Sequence, residues 1–229
     1  MASKLGQPLA AAFLAFLLSS LLINTGGCSK GSTKSPAAGS DTAVRTPGGS
    51  PPTSPAKVDL ENPVVQIETT AGAITLRLEG TQAPGTVRNF LNYANDKFYD
   101  NTLIHFVDPG KMLVAGGYAA NGALKPTGVP IRNEAHNGLK NVRGTIAMTR
   151  DPSHVDSATS QFFINLVDAP QRDYSGELPD QYGYCVFGQV IEGLAVAEKI
   201  SQVPTANRGG DLAQTPDPPV VIKSIRFVP

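Results

Sequence analysis

The chain has 229 residues, with 19 basic and 19 acidic side chains, so its formal net charge is zero. No global field selects nucleic acid or an acidic membrane surface, and nucleic acid is not an expected partner. A hydrophobic content of 41% allows a real core, while 23 glycines and 19 prolines point to a turn-rich, mainly β fold.

The length allows one domain of ordinary size plus additional sequence. Lys4 precedes the apolar run "LAAAFLAFLLSSLLI", residues 9 to 23, which "NTGGC" follows. A positive start, an apolar stretch and small residues before a cut site make a secretory signal over residues 1–28. Gly26 and Gly27 before Cys28 resemble a bacterial lipoprotein box, in which Cys28 would become the lipidated first residue. Thr25 stands where such boxes usually carry leucine. A plain signal peptide or an uncleaved anchor is the alternative. Lipidation would tether the protein to a membrane, which makes an envelope or periplasmic location the expectation. The stretch "SKGSTKSPAAGSDTAVRTPGGSPPTSPAK" has almost no apolar bulk. It cannot bury enough surface to offset its ordering entropy, and reads as a flexible tether within residues 29–62.

The folded domain, 63–229, begins with two alternating runs, "VVQIET" and "AITLRLE", joined at an expected Ala71-Gly72 turn. Ile74, Leu76 and Leu78 share one face of the second. In "APGTVRNFLNYAND", Val87, Phe90, Leu91 and Ala94 follow helical spacing after Pro84, predicting a helix over 84–95. Short strands separated by Gly, Pro and Asn turns run from Leu103 to Val190. A second helix is predicted over 193–201, and "PVVIKSIRFV" returns as a closing strand. Many strands with two helices read as a closed barrel with helical plugs. Cys28 and Cys185 lie too far apart in character to form a disulfide framework. Cys185 reads as a small buried hydrophobe. His136 and His154 read as solvated loop residues, and His105 as a structural residue hydrogen-bonded at a strand end. No spacing suggests a metal site, and Ser157 and Ser160 have no evident base, which argues against a hydrolase.

Four blocks occur in order: "PGTVRNFLNYANDKFYDNTLIHFV", "IRNEAHNGLKNVRGTIAM", "SATSQFFINLVD" and "YGYCVFGQVIEGLAV". Together they resemble a cyclophilin-type peptidyl-prolyl cis-trans isomerase over about residues 63 to 228. The resemblance implies a closed eight-stranded antiparallel barrel capped by two α-helices. It also implies a proline-binding groove on the barrel's outside, proline-containing polypeptides as partners, and no cofactor. A monomer is expected.

Rotating an X–Pro bond means breaking amide resonance over a barrier of about 18–20 kcal/mol, a process that otherwise takes tens to hundreds of seconds. No bond is cut, so no nucleophile is needed. The protein must seat the proline ring and hydrogen-bond the twisted amide nitrogen, which gains a lone pair. Family members place an arginine there, after the histidine of a Phe-His-Arg strand. In this sequence that position is Phe106, although His105 is kept. An ungapped alignment puts Lys111 at the pocket phenylalanine and Val114 at the neighbouring glutamine; a one-residue gap puts Ala115 there instead. Met112 matches the pocket methionine, Gln161 the glutamine that holds substrate backbone, and Phe163 the pocket floor. The resemblance further assigns Ala147, Thr149 and Arg150 to the edge strand where substrate backbone pairs. It assigns Gln171 and Arg172 to the far side of the groove, and Tyr184 to its rim.

Losing a transition-state donor from a preorganised site costs on the order of 10²–10³ in rate. The expectation is therefore an isomerase of reduced activity acting on exported proteins. The alternative is a cyclophilin-like module that binds proline-containing or extended segments without turning them over. Lys111 and Arg172 are the candidate replacement cations.

Overall fold

The computed structural model describes residues 61–228. The signal, Cys28 and most of the tether lie outside them. Among the described residues, ten strands and two helices follow one another. Strand β1 is Val64–Thr69, β2 Gly72–Leu78, and helix α1 Pro84–Asn95. Next come β3 Thr102–Asp108, β4 Met112–Ala119, β5 Thr145–Met148, β6 Phe162–Asn165 and β7 Val186–Glu192. Helix α2 is Leu194–Ser201, followed by β8 Thr205–Ala206, β9 Thr215–Pro216 and β10 Val221–Phe227.

Eight of these strands close a barrel in the order β1-β10-β3-β4-β6-β5-β7-β2, with every neighbouring pair antiparallel. Strands β8 and β9 form a separate two-stranded ribbon. The expected closed eight-stranded antiparallel barrel with two helices is the fold found. Closure removes the unpaired edges that an open sheet of this size would carry.

Side chains alternate between two faces along each strand. Ile67, Ile74, Leu76, Leu113, Ile146, Phe162, Ile164 and Phe187 all point into one continuous core. Helix α1 closes that core through Val87, Phe90, Leu91 and Ala94, the four positions that share its apolar face. The Phe90 ring centroid lies 5.3 Å from that of Tyr99, 5.5 Å from Phe162 and 5.2 Å from Phe187.

Ala83, at the N-cap of α1, has no side-chain oxygen to offer the helix. Glu134, 48 residues beyond Thr86, supplies it: its carboxylate accepts from the Thr86 N–H at 2.8 Å, the Thr86 hydroxyl at 2.7 Å and the Gly85 N–H at 3.1 Å. A carboxylate there satisfies free N–H groups and suits the positive end of the helix dipole.

The β1–β2 turn differs by one residue from the sequence expectation. Thr69 pairs with Gly72, so the connection is Thr70-Ala71. The Thr69 hydroxyl decides this, accepting from the Ala71 N–H at 3.0 Å and donating to the Gly72 carbonyl at 2.6 Å.

Candidate active site on the outer face of the barrel

Residues of the opposite alternation form a second, smaller apolar cluster. Val114, Ala147, Phe163 and Val186 are its buried members, and Phe106, Met112, Leu139 and Tyr184 pack against them. Cross-strand register explains why they meet. Phe106 lies opposite Val114, Val114 opposite Phe163, Phe163 opposite Ala147, and Ala147 opposite Val186. One row of partners thus crosses β3, β4, β6, β5 and β7 outside the core.

A bulge sets which of Val114 and Ala115 lies opposite Phe106. From Ile104 to Phe106 the chain takes two steps on β3, while β4 takes one, from Ala115 to Val114. The additional residue on β3 is His105. Bulges re-aim the side chains that follow them: Ile104 and Ala115 remain in the core, and Phe106 and Val114 face outward. No arginine or amide side chain stands at this pair.

His105 itself departs from its expected place at a strand end. It sits within β3, 2% exposed, its ring 4.7 Å from that of Tyr118. Its Nδ1 has no hydrogen-bond partner; hydrogen bonding with the Leu103 backbone and with Gln161 favours the protonated ring, more weakly than burial opposes it. Burial lowers the imidazole from its ordinary 6.5 to about 4, against opposing pulls of which the Asp211 carboxylate is the largest. Asp211 accepts the Tyr118 hydroxyl at 2.7 Å. Between these two pH values the unfolded chain binds the proton more readily. Stability is therefore fully present above pH 6.5 and falls as pH drops towards 4, by about 3 kcal/mol from this group. His105→Asn should flatten that slope, measured as the difference in urea midpoint between pH 7 and pH 4.5. An equal acid loss in the variant would show that other groups cause it.

The predicted site residues divide into those that the fold brings together and those it does not. Met112, Val114, Phe163, Tyr184 and Phe106 share the outer cluster. The Tyr184 ring meets Phe163 edge-on at 5.7 Å. Arg172 joins them from a 3-10 turn at Pro170–Arg172, its guanidinium carbon 5.3 Å from the Phe163 ring centroid. Beneath this cover Phe163 is only 3% exposed. Gln171 precedes Arg172 on the turn and is exposed. Gln161 lies just beyond the row, against Gly117, where any Cβ would come within 2.6 Å of its amide carbon. Thr149 directs both its N–H and its hydroxyl at the Gln161 carbonyl, at 3.0 and 3.3 Å.

Two expectations need correction, for Lys111 and Ala147, and Arg150 has its side chain turned to other work. Lys111 does not fill the pocket: its side chain is 63% exposed and pairs with Asp108 at 3.3 Å. It stands in the β3–β4 turn, where a long cation stays hydrated. Ala147 is 0% exposed, and β5 is paired on both sides, to β6 and β7, so it offers a peptide no free strand edge there. Arg150 is committed internally. Its Nε donates to Gly183, Nη1 to Asp151 and Pro152, and Nη2 to Pro179, all backbone carbonyls. It also covers the Tyr184 ring at 5.0 Å.

Sequence reasoning passed over Val186, Leu139, Asn141 and Asn165. The alternation from Cys185 inward to Val186 outward was the available signal for the first. The two asparagines are tied mainly to residues distant in the chain. Asn165 Nδ2 donates to Asn141 Oδ1 at 3.2 Å and to Thr145 Oγ1 at 3.0 Å. Asn141 Nδ2 in turn donates to the Arg172 and Tyr184 carbonyls and to Asp173. Cys185 is free and buried, as expected, with its thiol pushed up to about 12 by that burial.

A closed antiparallel barrel plugged by a helix, carrying an aromatic-floored apolar row on its outer surface, defines the cyclophilin class. Residues 64–227 match the family described as cyclophilin type peptidyl-prolyl cis-trans isomerase. The chain belongs to that family of isomerases. It is 45% identical to peptidyl-prolyl cis-trans isomerase A of Dickeya dadantii over 175 residues, covering 76% of this chain and 90% of that protein. It is 44% identical to peptidyl-prolyl cis-trans isomerase B of Escherichia coli over 162 residues, covering 71% and 98% respectively. Among solved structures, a Cryptosporidium parvum cyclophilin type peptidyl-prolyl cis-trans isomerase superposes with a TM-score of 0.59 at 23% identity, over 73% of this chain and 98% of that one. That last likeness speaks for the fold alone.

Proposed function

We propose that this protein rotates X–Pro bonds of proline-containing polypeptides on the outer face of its barrel, at a turnover lowered by Phe106. The observation that carries the reading is the Phe106–Val114–Phe163 row. The floor of Met112 and Phe163 is kept, while the paired positions that should polarise the twisted amide are apolar. Floor contacts hold ground and transition states alike, so affinity survives better than rate. Phe106 also favours a second reading, capture of proline segments without turnover. The full chain, given an X–Pro peptide, separates the two: two-dimensional exchange NMR reads turnover and calorimetry reads affinity. We expect binding with slow but measurable exchange. Binding with exchange no faster than in free peptide supports capture alone, and absence of both removes the site from this face.

The same proposal extends to place and clients. The apolar run before Cys28 and the Ser/Pro/Gly-rich segment after it support an exported, lipid-tethered protein that assists folding in the envelope. Mass spectrometry of the native N-terminus should find diacylglyceryl-modified Cys28 as the first residue. An unmodified Cys28, or a retained Met1, sinks this part.

A further inference from the structure

Three cations stand near the outer cluster, and their surroundings separate them. Lys111 is exposed and paired with Asp108. Arg150 is bound up with four backbone carbonyls. Arg172, half-buried like Arg150, alone among the three has its guanidinium on the Phe163 floor.

Both ends of residue 172 are held. Its N–H donates to the Ala169 carbonyl at 2.9 Å. Its own carbonyl accepts from the Tyr184 N–H at 2.9 Å and from Asn141 Nδ2 at 3.0 Å. At the tip, Nη1 donates to Asn165 Oδ1 at 3.0 Å. Asn165 is fully buried and fixed by Asn141 and Thr145. A guanidinium carries five N–H donors in one plane, so the anchor to Asn165 leaves others to face a ligand. Burial draws the Arg172 pKa downward, with Tyr184 and Asp108 acting against it, and an arginine stays cationic throughout.

We propose that Arg172 is the hydrogen-bond donor to the twisted X–Pro amide, in place of the cation missing at Phe106. The inference rests on the isomerase reading above. A proline ring entering against Phe163 exchanges places with the guanidinium, which stays tethered through Nη1 and meets the amide nitrogen at the edge of the floor. No bond is made or broken and no proton leaves the arginine; its N–H donates to the nitrogen lone pair while resonance is lost. The tether through Nη1 to buried Asn165 keeps the donor beside the floor after that exchange, which limits the reorganisation it needs.

The test uses the full chain, an X–Pro peptide and the Arg172→Leu and Arg172→Lys variants, with thermal melts to establish that each is folded. Arg172→Leu should lower kcat on the order of 10²-fold and leave KM within about threefold, the signature of an interaction made in the transition state. Arg172→Lys should recover part of the loss, since it keeps a cation but not the planar fork. Phe106→Arg should raise turnover more in the Arg172→Leu background than in the native chain, because two donors to one atom are not additive. A folded Arg172→Leu protein with native kcat, or one in which only KM rises, overturns the assignment. So does Phe106→Arg acting equally in both backgrounds. A native chain with no turnover overturns the underlying isomerase reading instead.

Discussion

Replacing Phe106 by Arg and Val114 by Gln together should raise turnover of an X–Pro peptide about tenfold or more, with little change in affinity. A full preorganised donor contributes on the order of 10²–10³ in rate; the native gain is smaller because Arg172 already supplies part of the charge. The geometry favours the pair. Residues 106 and 114 are direct cross-strand partners on the outer face, and cross-strand partners lie close enough for a glutamine amide to hold an arginine. Phe106 is half-buried, so an arginine there keeps water at its far side and avoids the full cost of burying a charge. Lys111 does not obstruct, since it pairs with Asp108 in solvent. Affinity changes little because the Met112 and Phe163 floor is untouched. The readout is kcat and KM from line-shape or exchange NMR. Unchanged turnover in a folded double variant would mean that the twisted amide does not lie over this pair.

The second large effect is on stability. Phe90→Ala should destabilise the barrel by about 3–5 kcal/mol, the usual range for deleting a buried aromatic. Phe90 is fully buried, and its ring lies within 5.5 Å, centroid to centroid, of those of Tyr99, Phe162 and Phe187. It therefore links α1 to β6 and β7, and truncation leaves a cavity where the helix meets the barrel. Against a typical total of about 5–15 kcal/mol, this is a large share. A urea titration of the variant should show a lower midpoint at similar slope. A loss below about 1 kcal/mol, ordinary for a surface change, would show that α1 does not plug the core through this ring.

Much of the barrel was legible because its signals are local. Period-two runs in β1 and β2 placed Ile74, Leu76 and Leu78 inward. Helical spacing after Pro84 marked α1 over the residues it occupies. The many short strands with two helices indicated a closed barrel, and the family resemblance supplied its strand number and the outer groove. The turn between β1 and β2 was missed by one residue because a threonine hydroxyl, not glycine placement, closes it.

The candidate site was legible by type and only partly by geometry. An apolar residue at 106 is a sequence fact, and the proposed lowering of turnover starts from it. Whether Val114 or Ala115 faces it depends on a bulge at His105, and register is a property of two paired strands rather than of one. Lys111, Arg150 and Arg172 look alike in sequence as cations near a groove. The fold separates them: one stays in water beside Asp108, one serves four loop carbonyls, and one is held over Phe163 by buried Asn165. The sequence by itself determined the barrel class, both helices, the family and an apolar residue at 106, because periodicity and motif order are local. Only the tertiary structure decided which cation reaches the floor. That depends on contacts between residues distant in the chain, such as Asn141 with Asn165 and Arg172, and no local pattern encodes them.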